Sequence, residues 1–208
     1  MIPMGKAFVA TLGFEPSAIL RLVGEKGISS DDVIYLITSK TPHPRVENAI
    51  KSVKDFVDKI SPKAFVEVLR LDENSLEENI ATLAKLLKTM EEPIVDITGG
   101  PKGLSIALYL AAGFANIGKV YITTETTGER LEIPTIQPPT HTLTPKQVEI
   151  LKQLPNKLTK IAENTKTSKS TISKQLKGLI NKGLAYKENK TFHPTLQGKI
   201  TLKLIEHK

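Results

Sequence analysis

Cysteine and tryptophan are both absent from this chain of 208 residues. Without cysteine the chain can form no disulfide, use no thiol nucleophile and bind no metal through thiolates. It also has no run of 18 apolar residues, so we expect no membrane-spanning segment. The first residues, MIPMGKAFVATLGF, lack the apolar core and cleavage site of a secretory signal peptide. These absences favour a cytoplasmic protein.

Familiar catalytic motifs are missing as well. The sequence has no H-E-x-x-H, no G-x-S-x-G and no P-loop, so the residues expected in a hydrolase or a metalloenzyme are missing. The second predicted strand ends in Thr38-Ser39-Lys40, without the acidic residue that a dinucleotide-binding domain uses for its ribose. The histidines are scattered: His43, His141, His193 and His207. We predict no catalytic residue, no cofactor and no metal site.

Positive charge is concentrated in the last third of the chain. Residues 141–208 hold 14 lysines and four glutamates, a formal charge of +10, whereas residues 1–140 carry −3. A small domain so strongly basic predicts a polyanionic partner such as double-stranded DNA, the alternative being a lysine-rich, thermophile-like surface. Prolines cluster just before it and predict a semi-rigid connector. We therefore predict domains at 1–133 and 144–208, joined by a linker at 134–143.

Short apolar strands alternate with amphipathic helices in the N-terminal part. This pattern predicts an α/β fold with a Rossmann-like, mostly parallel sheet in the order 3-2-1-4-5, with a sixth strand antiparallel to the fifth. Ser75 and Glu78 predict a capping box for the third helix. The predicted strands are 6–12, 32–38, 65–71, 94–98, 119–125 and 130–134.

A glycine loop follows the fourth predicted strand. Residues 98–103, TGGPKG, combine glycines, a lysine and the start of a helix, which is the chemistry of a phosphate cradle. In the predicted order, strands 1 and 4 are neighbours, so this loop meets the loop at 12–15 where ligands bind in such sheets. Phe14 offers a ring for a base to stack on or packs in the core, and the glycines alternatively serve packing alone.

The C-terminal part predicts a winged helix-turn-helix. Thr144 and Pro145 begin a first helix with Val148, Leu151 and Leu154 on its apolar face. A short helix at 158–165 and a longer one capped by Ser168 follow, then a hairpin turning at 188–190 and a closing helix from 196. The apolar positions of the longer helix are Ile172, Leu176, Leu179 and Ile180.

The exposed face of the third helix and the wing are the predicted DNA-binding surface. Lysines would neutralise phosphates, and side chains near the helix start would reach base edges in the major groove. One winged helix reads a half-site, so we expect a symmetric dimer on a palindromic site; the alternative is a winged helix used only for protein contacts. The predicted DNA-binding residues are Ser168, Lys169, Ser170, Thr171, Ser173, Lys174, Lys177, Lys187 and Lys190.

The whole chain resembles the archaeal CRISPR-associated CARF transcription regulators. The resemblance is carried by strand–LGF–helix, by DITGGPKG after strand 4, by the proline-bearing linker and by the winged helix. It implies a homodimer that binds a cyclic oligoadenylate, cyclic tetra-adenylate above all, across the two-fold axis and acts on promoters of CRISPR loci. The family's ligand loops correspond to residues 11–15 and 98–103. With the end of strand 2, the predicted ligand-binding residues are Thr11, Gly13, Phe14, Glu15, Thr38, Ser39, Thr98, Gly99, Gly100, Pro101, Lys102 and Gly103.

Two other functions compete with a ligand-responsive regulator. Some CARF domains cleave their cyclic ligand, and Lys102, Thr98 and Ser39 could assist the attack of a 2′-hydroxyl, which would make the chain a ring nuclease. A structural DNA-binding protein with a vestigial pocket is the third hypothesis, and the intact glycine loop argues against it.

Overall fold

The computed structural model describes residues 5–136 and 143–205. The chain divides into two compact units, Met1–Pro138 and Pro139–Lys208. Most of the predicted linker at 134–143 lies outside the described residues, so its limits stay a prediction. Its first residues still belong to the N-terminal unit, because Pro134 ends a strand and the Thr135 N–H donates to the Gly118 carbonyl at 3.1 Å.

Strands and helices alternate through the N-terminal unit. The strands are β1 (Ala7–Thr11), β2 (Val33–Ser39), β3 (Phe65–Leu71), β4 (Ile94–Asp96), β5 (Lys119–Thr123) and β6 (Arg130–Pro134). The helices are α1 (Ser17–Lys26), α2 (Pro44–Ile60), α3 (Leu76–Lys88) and α4 (Lys102–Phe114).

The six strands form one sheet in the order β3-β2-β1-β4-β5-β6. All neighbouring pairs are parallel except β5 and β6, which are antiparallel. The α/β fold class, the strand order and the antiparallel sixth strand are therefore confirmed. β1 and β4 lie side by side at the point where the chain reverses its direction across the sheet, which is where such sheets bind ligands.

Apolar side chains of the central strands hold the helices to the sheet. Phe8 and Ile34 of the sheet pack with Leu22 of α1 and Val53 of α2, and all four are fully buried. Helices α3 and α4 pack against each other. This core fixes where the strands end, and so where the loops at their carboxyl edge begin.

Three local predictions in this unit are wrong. Strand β4 stops at Asp96 rather than 98, because the Asp96 carboxylate accepts a hydrogen bond from the Thr98 N–H at 2.8 Å and turns the chain. Ser75 is the N-cap of α3, but its side chain accepts no capping hydrogen bond. Strand β5 ends at Thr123 rather than 125, because the chain turns there towards β6 with the Gly128 N–H bonded to the Thr124 carbonyl.

The C-terminal unit has the predicted winged helix-turn-helix order. Its helices are α5 (Pro145–Lys152), α6 (Leu158–Asn164), α7 (Lys169–Asn181) and α8 (Leu196–Ile205). Its strands are β7 (Asn156–Lys157), β8 (Ala185–Glu188) and β9 (Thr191–Pro194), in the sheet order β7-β9-β8. The hairpin turns at Asn189 and Lys190, whose φ angles of 46° and 65° suit a tight two-residue turn.

Several details of this unit differ from the sequence prediction. The capping box lies at Thr144 and Gln147, and β7 was not predicted. Ile150 and Leu151 are the fully buried apolar residues of α5, whereas Val148 is partly exposed. Ile180 was expected on the apolar face of the third helix, but it is 37% exposed, whereas Ile172, Leu176 and Leu179 form the buried face of α7.

Candidate functional site

A cavity of about 610 Å³ opens at the carboxyl edge of the sheet. Loops that follow five different strands contribute to it, because the carboxyl ends of parallel strands lie at the same edge of the sheet. Of the predicted ligand residues, those lining it are Gly13, Phe14, Glu15, Thr38, Ser39, Gly99, Gly100 and Pro101. Residues not predicted from the sequence also line it: Thr41, Pro42, His43, Val46, Glu73 and Glu125.

The two glycine loops touch each other beside this cavity. A Cβ on Gly13 would lie 3.0 Å from the Gly100 nitrogen, and one on Gly99 would lie 2.6 Å from the Thr11 carbonyl oxygen. Gly100 also adopts a φ of 78°, which L side chains rarely take. Glycine at these positions therefore serves a close approach of two backbones.

Several hydrogen-bond donors at the cavity have no protein partner. Thr38 is fully buried, yet its hydroxyl finds no partner in the part of the chain that the structure describes. The N–H groups of Gly99 and Gly100 donate to no other described residue. Ser39, by contrast, accepts from the Thr41 N–H at 3.1 Å. A buried polar group without a partner costs stability, so these donors suit an oxygen-rich ligand.

Phe14 forms an aromatic wall of the cavity. Its ring lies 4.5 Å from that of His43 and 4.6 Å from the Arg45 guanidinium, and the residue is 46% exposed. Glu15 holds Arg45 in an ion pair at 3.2 Å. Phe14 is thus not a core residue, and its ring is available for stacking. His43 and Arg45 were not among the predicted site residues, although both follow strand 2 at the same edge.

The charged residues that line the cavity are acidic. Glu15, Glu73 and Glu125 contribute carboxylates, and no lysine or arginine of the described chain lines it. Bulk electrostatics therefore does not draw a polyanion into this cavity. Backbone amides, the Thr38 hydroxyl and the Phe14 ring are the groups that could hold a nucleotide there.

Four predicted ligand residues do not line the cavity. Thr11 is buried with its hydroxyl 3.3 Å from that of Ser105, and the Thr98 hydroxyl accepts from the Thr123 N–H at 2.8 Å. Lys102 is the exposed first residue of α4, and its ammonium forms no ion pair or hydrogen bond with any described residue. Gly103 follows it in the same turn.

Asp96 is a buried carboxylate behind the glycine loop. Burial raises the pKa of Asp96 above its usual range, and the hydrogen bonds from Thr98 and the charge of Arg130 oppose that rise. The Arg130 Nε lies 4.0 Å from one Asp96 oxygen, and its guanidinium also pairs with Glu25. The cluster fixes the start of the loop, and neither Asp96 nor Arg130 lines the cavity.

The predicted DNA-binding residues are all exposed on the C-terminal unit. Ser168 caps α7 by accepting from the Thr171 N–H at 3.2 Å, and its hydroxyl lies 3.0 Å from that of Ser170. Among the described residues, the ammonium groups of Lys174 and Lys177 have no partner. The wing carries Lys187, whose ammonium lies 5.5 Å from the centre of the Phe192 ring. These cations are free to meet phosphates.

Comparison with known proteins identifies both parts of the chain. Residues 6–134 match the model of the Csa3 CRISPR-associated Rossmann-like domain. The chain belongs to the Csa3 family. Residues 144–187 of this Csa3-family chain match the arsR family of bacterial regulatory proteins, a helix-turn-helix family. The resemblance to CRISPR-associated CARF regulators is thereby confirmed, and the two matches favour a DNA-binding regulator over an enzyme.

Solved structures give weaker likenesses. Csm6 of Enterococcus italicus, bound to cyclic hexa-2′-fluoro-hexa-dAMP, has a TM-score of 0.47 at 12% identity, with 85% of this chain and 54% of Csm6 covered. Can2 of Sulfobacillus thermosulfidooxidans, in complex with cyclic tetra-adenylate, has a TM-score of 0.42 at 11% identity, with 96% of this chain and 64% of Can2 covered. Protein VC1899 of Vibrio cholerae has a TM-score of 0.45 at 11% identity, with 97% of this chain and 64% of VC1899 covered. The chain thus spans less than two thirds of each, and these likenesses are too low to say what it binds.

A search of curated proteins finds no match. Among the residues described, no helix is long and apolar enough to cross a membrane. No group of three or more histidine and acidic side chains in that part of the chain could hold a metal ion.

Proposed function

We propose that the chain is a homodimeric transcription regulator of CRISPR loci whose N-terminal unit senses a cyclic oligoadenylate, with cyclic tetra-adenylate as the ligand. The observation that carries the proposal is the donor-lined cavity at the switch point of a Csa3-family domain. Its donors are the Thr38 hydroxyl and the Gly99 and Gly100 amides, and phosphate or ribose oxygens would accept from them.

The Phe14 ring gives the same cavity a place for a base. Stacking on an aromatic side chain contributes about 1–3 kcal/mol per base and suits any base. A cyclic tetranucleotide has its own symmetry, so each subunit of a two-fold dimer would hold half of it. Each subunit would therefore hold two of the four bases, and the Phe14 ring would stack on one of them. Lys102, outside the cavity at the start of α4, would then meet a phosphate that projects beyond it.

The C-terminal unit would read DNA with α7. Ser170, Thr171 and Lys174 at the start of the helix would reach base edges, and the other lysines of α7 and of the wing would neutralise phosphates. Ser168 also holds the helix start in place by capping α7. In a dimer the two reading helices would bind the half-sites of a palindromic promoter site.

Two measurements on the full chain test the proposal together. Calorimetry should show cyclic tetra-adenylate binding at one molecule per dimer, and fluorescence anisotropy should show a change in affinity for a CRISPR promoter duplex when the ligand is added. A protein that binds neither the ligand nor the duplex would contradict the proposal. Cyclic hexa-adenylate is the matched control for ring size.

Cleavage of the ligand is not part of the proposal. Of the three residues that a ring nuclease could use, Ser39 lines this cavity, Thr98 lines the neighbouring one and Lys102 lines neither. Incubation with labelled cyclic tetra-adenylate should therefore leave the ring intact. Linear products that disappear in a Ser39→Ala variant would establish the ring-nuclease alternative instead.

A further inference from the structure

A second cavity, of about 370 Å³, lies at the same edge of the sheet beyond Thr98. It is formed by the start of α1, the end of β4 and the connection from β5 to β6. Its lining residues are Ser17, Ala18, Arg21, Thr98, Thr123, Thr124, Glu125, Thr126, Thr127 and Gly128. Glu125 lines both cavities, so the two are neighbours along this edge.

Arg21 is the cation of the second cavity. Its guanidinium is exposed and forms no ion pair with any described residue. A Cβ on Gly128 would lie only 2.7 Å from its Nη1 atom, and Gly128 adopts a φ of 69°. Glycine thus lets the guanidinium lie against the connection from β5 to β6. That connection is held by a hydrogen bond of 3.0 Å from the Gly128 N–H to the Thr124 carbonyl.

Hydroxyl groups without a partner among the described residues line the same cavity as this guanidinium. The Thr123 hydroxyl is shielded from water and has no partner among the described residues. The hydroxyls of Ser17 and Thr126 also form no hydrogen bond within the described chain. The hydroxyls of Thr124 and Thr127 instead bond each other at 2.6 Å. One guanidinium and three free hydroxyls are the donor set that binds a phosphodiester well.

The two cavities differ in a way that fits the two halves of a nucleotide. The first has an aromatic ring and no cationic lining, and the second has a free guanidinium and hydroxyl donors. We propose that the second cavity is a phosphate subsite, in which Arg21 binds a phosphodiester of the ligand whose adenine lies on Phe14 in the first cavity. This rests on the proposed function. The Glu125 carboxylate between them would repel a phosphate, and it suits the hydroxyl or amine donors of the intervening adenosine.

Calorimetry with cyclic tetra-adenylate tests this assignment on the full chain. Arg21→Gln should weaken binding about ten- to a hundredfold, since it removes a charge-assisted hydrogen bond. Arg21→Lys should fall between this variant and the parent, because lysine keeps the charge and loses the fork. Lys54→Ala, which removes an exposed charge from α2, is the matched control and should bind like the parent.

Adenosine separates the phosphate from the base. The shift in melting temperature that millimolar adenosine produces should be the same for the parent and Arg21→Gln, because adenosine has no phosphate for the guanidinium. Phe14→Ala should lose that shift. A larger loss of adenosine binding in Arg21→Gln than in Phe14→Ala would overturn the assignment of phosphate to the second cavity.

The outcomes distinguish the inference from the proposed function. If the parent binds cyclic tetra-adenylate and Arg21→Gln binds it within twofold, the phosphate subsite is wrong and the proposed function stands. If the parent does not bind the ligand, both fall. If the circular dichroism spectrum shows that Arg21→Gln does not fold, Thr126→Ala is measured in its place. It should bind cyclic tetra-adenylate about two- to tenfold more weakly than the parent, because it removes one neutral hydrogen bond. Unchanged binding would again overturn the inference.

Discussion

The Thr98 hydroxyl accepts a hydrogen bond of 2.8 Å from the Thr123 N–H and so joins the glycine loop after β4 to the end of β5. The Thr98 N–H in turn donates to the Asp96 carboxylate at 2.8 Å. Both groups of Thr98 are thereby used in positioning the loop. Thr98, which was predicted as a ligand-binding residue, thus also holds the loop that carries Gly99 and Gly100.

Replacing Thr98 by valine should lower the free energy of unfolding by about 1–3 kcal/mol, because the half-buried Thr123 N–H loses its acceptor. Thr98→Ser keeps the hydroxyl and should stay within about 0.5 kcal/mol of the parent. Urea denaturation followed by circular dichroism checks both variants. Equal destabilisation by serine and valine would mean that the methyl group, rather than the hydrogen bond, matters.

Gly100→Ala should destabilise the protein by about 1–3 kcal/mol, since its φ of 78° is strained for alanine and the new Cβ would lie 3.1 Å from the Thr11 Cβ. Gly24→Ala is the control, because a Cβ there meets nothing within 4 Å and alanine favours the helix, by about 0.5–1 kcal/mol. Thermal melting of the two variants should move in opposite directions. A neutral Gly100→Ala would show that the loops can separate without cost.

Lys102→Ala should weaken binding of cyclic tetra-adenylate about tenfold, with melting temperature and DNA affinity unchanged. The residue is exposed and unpaired within the described chain, so its loss removes a charge that a phosphate could meet and little else. Calorimetry in 0.05 and 0.2 M salt should show the difference from the parent shrinking at the higher salt, as expected for an exposed charge. An unchanged affinity would make Lys102 an ordinary surface lysine.

Lys174→Ala and Lys177→Ala should each weaken binding to a CRISPR promoter duplex and reduce the slope of log affinity against log salt by about one. Both ammonium groups are exposed on α7 and have no partner among the described residues, so neither loss should alter stability. Anisotropy titrations over a series of salt concentrations measure the slope, and Lys54→Ala is again the charge-matched control. Parent-like slopes in both variants would mean that α7 is not the reading helix.

Asp96 should give stability a pH dependence of known sign. Its folded-state pKa is raised above the ordinary 3.8 by burial, so the folded state binds the proton more tightly than the unfolded state. The contribution of this group therefore falls as the pH rises from 3.8 through the folded-state pKa. In that interval the free energy of unfolding of Asp96→Asn, minus that of the parent, should rise with pH. Parallel urea-denaturation curves for the two proteins would contradict this.

Features set by periodicity along the chain could be predicted from the sequence, whereas features set by distant contacts could not. The apolar strands predicted at 6–12 and 32–38 and their neighbours indicated the sheet order, because parallel strands joined by helices leave few topologies. The end of β4 was misjudged because the Asp96 side chain, rather than the apolar run, decides it. The two-residue β7 was missed because its pairing with β9 has no local signal.

The site follows the same division. The glycines at 13, 99 and 100 could be recognised because a break of this composition after a buried strand has few uses. Arg21 could not be recognised as a site residue, because it is an exposed residue of α1 whose contact, Gly128, lies more than a hundred residues later in the chain. Ser75 has the sequence pattern of a capping box, but its side chain accepts no capping hydrogen bond, whereas Thr144 and Gln147 form a complete capping box. The difference arises because the local backbone conformation decides whether a side chain can reach the N–H groups of the first helical turn.

The close contact between the backbones of Gly13 and Gly100 couples the movement of the two loops. Backbone lies against backbone with no side chain between them that could yield by changing its rotamer. One loop leads into α1 and the other into α4, so a ligand that displaces either loop pushes both helices at once. If a ligand occupies the cavity, we expect one concerted displacement of α1 and α4 rather than two independent local adjustments.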